Sequence, residues 1–257
     1  MDKILEAVKS KHGMILSRGE NVIFTALVGS QNYGLATENS DVDTYSFILP
    51  SYDDFLLNKE SKSYEVELPD GSKACVKDIR LLFKLLKKPS PNSIECILSK
   101  YIIFNPDYKE VLNKYLNNHT LLYTMVHCNS NNFFDSVAGT IRGLHGRNMS
   151  LGKKYSHVIR LVSLMNKYIN PQENIREYLV VDNENLDLAR AAKEGKEFWL
   201  NEEVYKQIAE ASANLVIRQK ERYSFYKQDE YMGQMLIDNM QCAVINRFLE
   251  LNGWVRK

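Results

Sequence analysis

Asp41-Val42-Asp43 sets two carboxylates two residues apart, and in an extended chain such residues share a face while Val42 points the other way. Two ionised carboxylates this close repel each other, and a cation between them relieves the repulsion. Mg²⁺ commonly takes one or two carboxylates together with phosphate oxygens, so the pair is suited to holding metal against a phosphate. Eleven residues before Asp41, Gly29-Ser30 ends the apolar run Val22-Ile-Phe-Thr-Ala-Leu-Val28. Glycine at a strand end lets backbone approach a triphosphate, and successive N–H groups with the Ser30 hydroxyl can bind its oxygens. A helix starting at Gln31 or Asn32 would add a favourable dipole. Either feature alone is an ordinary polar turn; together they suggest nucleotidyl transfer.

Such chemistry calls for a third acid and for further cations. Asp78 ends the strand-like Ala74-Cys-Val-Lys-Asp78, where period two groups it with Ala74 and Val76; it is either a metal ligand or the cap of a helix starting at Ile79. Glu95 and Asp53 are weaker candidates. No Asp or Glu occurs from Ser136 to Gln172, a stretch that carries Arg142, Arg147, Lys153, Lys154, Arg160 and Lys167. On a helix Lys153, His157 and Arg160 form one stripe with Lys154 beside it, able to meet the triphosphate charge, while Val158, Leu161 and Leu164 supply a core face. An EF-hand is excluded because Tyr45 stands where a third acid is needed and no Gly follows. A P-loop is excluded because Gly152-Lys153-Lys154 lacks its Ser/Thr and its upstream Gly.

The chain of 257 residues is long enough to bury one large core or two modest ones. Its net charge of +1 gives no global attraction to nucleic acid, so the basic stretch reads as a local anion site. Cys75, Cys96, Cys128 and Cys242 are far apart, which argues against a zinc ribbon or disulfide framework and for buried thiols. No apolar run approaches the roughly 20 residues that span a bilayer. Met1-Asp-Lys-Ile-Leu-Glu6 lacks a signal pattern, so the expectation is a cytoplasmic protein with no membrane partner.

Spacing predicts a helix over 2–18 with a break at Gly13, strands at 22–28 and 44–49, and a short helix at 52–57. Strands at 63–68 and 72–78 flank Pro69-Asp70-Gly71, a turn sequence. A helix over 79–86, another over 93–98 and a strand at 101–104 complete an α/β half. Helices are then predicted at 107–117, 119–145, 153–169, 185–194, 201–227 and 234–251. The switch sets an expected boundary between a domain of residues 1–105 and a helical domain of 106–257. His127, His145, Tyr223, Tyr226 and Tyr231 read as structural.

These residues resemble the DNA polymerase β nucleotidyltransferase superfamily, in which Gly-Ser is followed some ten residues later by Asp-x-Asp. Gly29-Ser-Gln-Asn-Tyr-Gly34 with Ser40-Asp-Val-Asp43 looks most like its bacterial and phage group associated with RNA ligases and RNA repair. Lys77-Asp-Ile-Arg80, Pro91-Asn-Ser-Ile-Glu95 and Lys153-Lys-Tyr-Ser-His-Val-Ile-Arg160 are similar to further segments of that group, across about residues 20–170. Tyr45-Ser46 replaces the Arg-Gly often found there. The resemblance implies an α+β fold: a mixed sheet with flanking helices, then an all-helical domain facing the cleft. It implies that Asp41, Asp43 and Asp78 hold two Mg²⁺, with Mn²⁺ as a substitute. Gly29, Ser30, Tyr33, Lys153, Lys154, His157 and Arg160 would bind the NTP, ATP among the candidates. An acceptor hydroxyl would attack the α-phosphate in line and expel pyrophosphate.

The favoured acceptor is an RNA end, in tRNA or cleaved RNA. The same chemistry directed at a protein side chain or small molecule is the close alternative, and a non-catalytic nucleotide-binding or antitoxin-like module is a third.

Overall fold

The apolar, β-branched run Val22–Val28 has no polar edge to leave in water, and it forms strand β1, whose seven residues are all buried. The computed structural model describes residues 2–38, 40–171, 173–197, 199–223 and 230–253; Tyr226 and the end of the predicted 201–227 helix lie outside them. With β2 (Asp43–Ile48), β3 (Ser63–Glu67), β4 (Lys73–Asp78) and β5 (Ile102–Phe104), β1 builds a five-stranded sheet in the order β3-β4-β2-β1-β5. Only the β2–β4 pair is parallel, so the sheet is mixed. β3 and β4 are joined at Pro69-Asp70-Gly71, where Gly71 takes φ +78° and the Asp70 carboxylate accepts from the Ser72 N–H.

Helix α1 (Lys3–Ser17) covers one face of the sheet, where Ile15 joins Val22, Ile48, Val66, Ala74 and Val76. It runs through Gly13 without the predicted break, because Val8, His12 and Ile15 keep one buried stripe on either side of it. His12 donates to or accepts from Thr25, which in turn bonds Ser46, so the polar groups under this face are satisfied in a chain. The other face carries Phe24 against Phe47 (ring centroids 4.8 Å apart) and a larger core. That core continues through α4 (Ile79–Lys87), α5 (Pro91–Leu98), α6 (Pro106–Leu116), α7 (His119–Val126), α8 (Ser130–Gly143) and α9 (Leu151–Ile169) to the remaining helices. These are α10 (Asn183–Lys193), α11 (Glu202–Tyr223) and α12 (Glu230–Leu251). One contiguous apolar cluster thus runs from Ile23 to Val244, across the expected boundary near residue 105.

The helix predicted over 119–145 is two helices. His127-Cys128-Asn129 interrupts it: the Asn129 side chain accepts from the Asn132 N–H and caps α8, competing with continuation of the helix. α5 starts at Pro91, earlier than the spacing implied, because Ser90 and Ser93 form a capping box with Pro at the first turn. Two shorter helices complete the N-terminal half, α2 (Ser30–Tyr33) and α3 (Tyr52–Leu56). Among the described residues no helix is long and apolar enough to cross a membrane.

α9 and α10 lie in close contact at Gly152. A methyl group there would run into the carbonyl of Ala192 in α10. Gly152→Ala is therefore expected to cost about 1–3 kcal/mol through overpacking. Thermal denaturation checks this; an unchanged Tm would mean that the two helices do not touch here.

Candidate active site

The antiparallel register of β1 and β2 pairs Val28 with Asp43, so the chain leaving β1 at Gly29 passes beside the Asp43 carboxylate. Gly29 has φ +83°, and a Cβ on it would stand 2.9 Å from Asp43 Oδ2. The conformation requires glycine, being costly for any residue with a Cβ, and the exposed Asp43 carboxylate would have to move aside for one. The Gly29 N–H is donated to Glu95 Oε1 at 2.6 Å, so it holds the turn and is not available to a ligand. Ser30, Asp41 and Asp43 line one cavity of about 400 Å³ with Gly29. β2 begins at Asp43, which leaves Asp41 in the extended residues before it; both carboxylates are exposed to solvent.

Beneath the turn lies a buried ionic group. Glu95 on α5 also receives a bond from Asn32 at 3.4 Å, and its other oxygen lies 3.8 Å from Arg160 of α9. The Arg160 guanidinium rests over the Tyr33 ring, 4.1 Å from its centroid. Burial raises the Glu95 carboxyl above its ordinary value, with Arg160 as the main opposing influence. Burial likewise pushes the Tyr33 hydroxyl well above its usual range. Tyr33 and Arg160, expected to contact the nucleotide, serve first to brace this group; both also reach a cavity wall.

Helix α9 presents Lys153, Ser156 and His157 to the same cavity. Lys154 does not join them. One residue round the helix from Lys153, it is buried, donates to the His145 carbonyl at 3.0 Å and faces Tyr205. His157 has its pKa brought down to about 3, first by burial and then by Arg160, Lys153, Arg147 and Lys193. It is therefore neutral at pH 7. A second cavity, of about 320 Å³, adjoins the first and shares Gly29, Tyr33, Asp43 and His157 with it. Its other walls include Tyr45, Glu65, Lys73, Cys75, Asn92, Glu95, Arg147 and Arg160.

Asp78 is not brought to the pair. The parallel register sets Tyr45 beside Cys75 and Ile48 beside Asp78, about 16 Å along β2 from Asp43 at the usual rise per residue. Its parity with Ala74 and Val76 turns it to the opposite face of the sheet. There it caps α4 through the Arg80 N–H and pairs with the Arg80 guanidinium at 2.6 Å. The capping alternative holds, and the metal role passes from Asp78. Asp53 is exposed on α3 and lines neither cavity, whereas Glu95 lines the second. Among the described residues no three His, Cys, Asp or Glu side chains are grouped to hold a metal. Asp41 and Asp43 offer hard oxygen donors around the cradle kept open by Gly29, which fits one Mg²⁺ completed by phosphate oxygens.

Lys193 is the main residue that the sequence pattern did not single out. Its amino group bonds the Leu35 carbonyl at 2.9 Å and Ser40 Oγ at 3.0 Å, and Arg190 bonds the Gly34 carbonyl. α10 thereby clasps the loop that leads to Asp41. No local pattern links residue 193 to residue 40, so this could not be read from spacing. Lys73 carried a trace, through its period-two relation to Cys75, and Arg147 through the acid-free stretch.

A family model described as the RNA repair pathway DNA polymerase beta family (RlaP) matches residues 1–197. No curated protein matches the chain. Among solved structures, a nucleotidyltransferase-like protein from Exiguobacterium sibiricum aligns with 98% of this chain and 93% of its own. The two are 15% identical, with a TM-score of 0.30.

The Glu95–Arg160 pair supports a pH-dependent expectation. Arg160→Ala leaves the Glu95 carboxylate buried and unpaired, which costs about 3 kcal/mol or more near pH 8. Glu95 in the folded chain holds its proton more tightly than in the unfolded chain, so the deficit shrinks as the pH falls and Glu95 is protonated. Melting curves at pH 5 and pH 8 check this; an equal loss at both would remove Glu95 as the cause. His157 has the opposite sign. Its depressed pKa adds stability above the unfolded value of 6.5, and this is lost as the pH falls towards 3. His157→Gln is expected to be less sensitive to acid over that window in the same measurement.

Proposed function

The chain belongs to the RNA repair pathway DNA polymerase beta family, and on that premise we propose that it transfers an NMP from an NTP to a hydroxyl acceptor at an RNA end, releasing pyrophosphate. The observation that carries the reading is the convergence of Gly29, Ser30, Asp41, Asp43, Lys153 and Lys193 on one cavity, from three separate parts of the chain. Carboxylates and ammonium groups lining one cavity are what a metal–triphosphate complex requires.

In this reading Gly29 supplies room for the triphosphate, and Ser30 with Lys153 and Lys193 binds the β- and γ-phosphates. Lys193 already gathers Ser40 and Leu35, so phosphate binding there is coupled to the loop that sets Asp41. Neutral His157 borders the phosphates without adding to the cationic repulsion among Lys153, Arg147 and Arg160. Asp41 and Asp43 would hold Mg²⁺, or Mn²⁺ in its place, which when bound neutralises phosphate charge and favours attack at the α-phosphorus. Brought in with the nucleotide, the ion would have both carboxylates and phosphate oxygens as ligands.

Asp41→Asn and Asp43→Asn are each expected to lower NMP transfer about 100-fold or more, the scale of losing one preorganised electrostatic contact. Tm should hold within about 2 °C, since both side chains are exposed to solvent. Pyrophosphate release with Mg²⁺ and each NTP, with RNA supplied, is the measurement. Full activity in Asp43→Asn would overturn the assignment of the carboxylate pair.

A further inference from the structure

We infer that the second cavity, on the β4 side of Asp43, is the acceptor subsite and that it takes the hydroxyl end of an RNA strand; the inference rests on the transfer reading above. In-line displacement sets the attacking oxygen and the leaving pyrophosphate on opposite sides of the α-phosphorus. Ser30, Lys153 and Lys193 belong to the first cavity alone, so pyrophosphate departs there. Asp43 is common to both, which places the α-phosphate at their junction and leaves the second cavity as the approach for the acceptor. The acceptor oxygen forms a bond to the α-phosphorus, the bond from that phosphorus to the bridging oxygen breaks, and pyrophosphate leaves with the electron pair. The acceptor proton passes to solvent.

The walls select the class of acceptor. Arg147 and Lys73 stand exposed at the mouth, and Arg160 lines the interior. Arg160 is nine-tenths buried, and its Nε has no hydrogen-bond partner among the described residues. Lys73 lies 3.9 Å from the Glu65 carboxylate of the same wall, whereas Arg147 makes no ion pair among the described residues. The cavity also offers the half-buried Tyr45 ring, with the Lys77 ammonium 4.0 Å from its centroid. The unpaired Arg147 guanidinium and an aromatic ring on one cavity suit a phosphodiester and its base better than a peptide side chain.

The test uses the full chain with Mg²⁺, each α-labelled NTP and a short single-stranded oligoribonucleotide with a free 3′-hydroxyl. Arg147→Glu and Lys73→Glu change exposed residues. Because Lys73 stands across from Glu67 on β3 and pairs with Glu65, matching circular dichroism and Tm are required before KM is compared, and Arg147→Glu carries the test where Lys73→Glu fails that check. Each variant is expected to raise KM for the oligonucleotide tenfold or more and to lessen its salt dependence, while equilibrium NTP binding without acceptor stays within twofold. If the wild type transfers to RNA and both variants keep its KM, the placement of the acceptor is overturned. Label found on protein side chains instead of RNA overturns the acceptor class. A wild type that binds no NTP overturns the transfer reading itself, and is told apart because it fails before any acceptor is added.

Discussion

The site depends on one point of contact: Gly29, in a backbone conformation of φ +83° that favours glycine, lies against the carboxylate of Asp43. It follows from the pairing of Val28 with Asp43 across β1 and β2. Because strand pairing is set by a buried face, a slip of one residue would turn Asp43 away from the cavity and Thr44 towards it. The fully buried β1 and the Phe24–Phe47 contact therefore protect the site as much as the core. An open turn and an acidic strand end become one site through that register.

The turn is held from below at an electrostatic cost. Glu95 and Arg160 are both buried, and taking two charges from water is offset only by good geometry and added bonds. Here Gly29 and Asn32 donate to the carboxylate and Tyr33 lies under the guanidinium. The arrangement keeps the Gly29 N–H occupied, so the positive φ is supported by a partner and not merely tolerated. It also makes the turn rigid before any ligand arrives, which suits a site that must hold phosphates in a fixed line.

The helical half contributes more than a lid of charge. α9 supplies Lys153 and His157, and α10 reaches back with Arg190 and Lys193 to the carbonyls of Gly34 and Leu35. Close packing at Gly152 fixes the spacing of those two helices and with it the distance between the two lysines that face the cavity. A single apolar core beneath both halves transmits this positioning. Cations and carboxylates that would otherwise drift on separate surfaces are brought to one space.

Much of this was legible in the chain alone. The run Val22–Val28 ending in Gly29-Ser30, the Asp41/Asp43 pair, the change from mixed to helical spacing after about residue 105, and the Lys153–His157–Arg160 stripe are all local patterns, and strand and helix periods report them directly. Local pattern could not place Asp78, whose parity was readable but whose sheet face depended on which strand β4 would join and in what register. Nor could it separate Lys154 from Lys153, since the direction of each around α9 has meaning only once α9 has neighbours. Lys193 reaches the cavity by long-range packing with Leu35 and Ser40, and no short spacing encodes that. Periodicity records what a residue does along its own element; which elements meet, and therefore which side chains share a cavity, is settled by how the core closes.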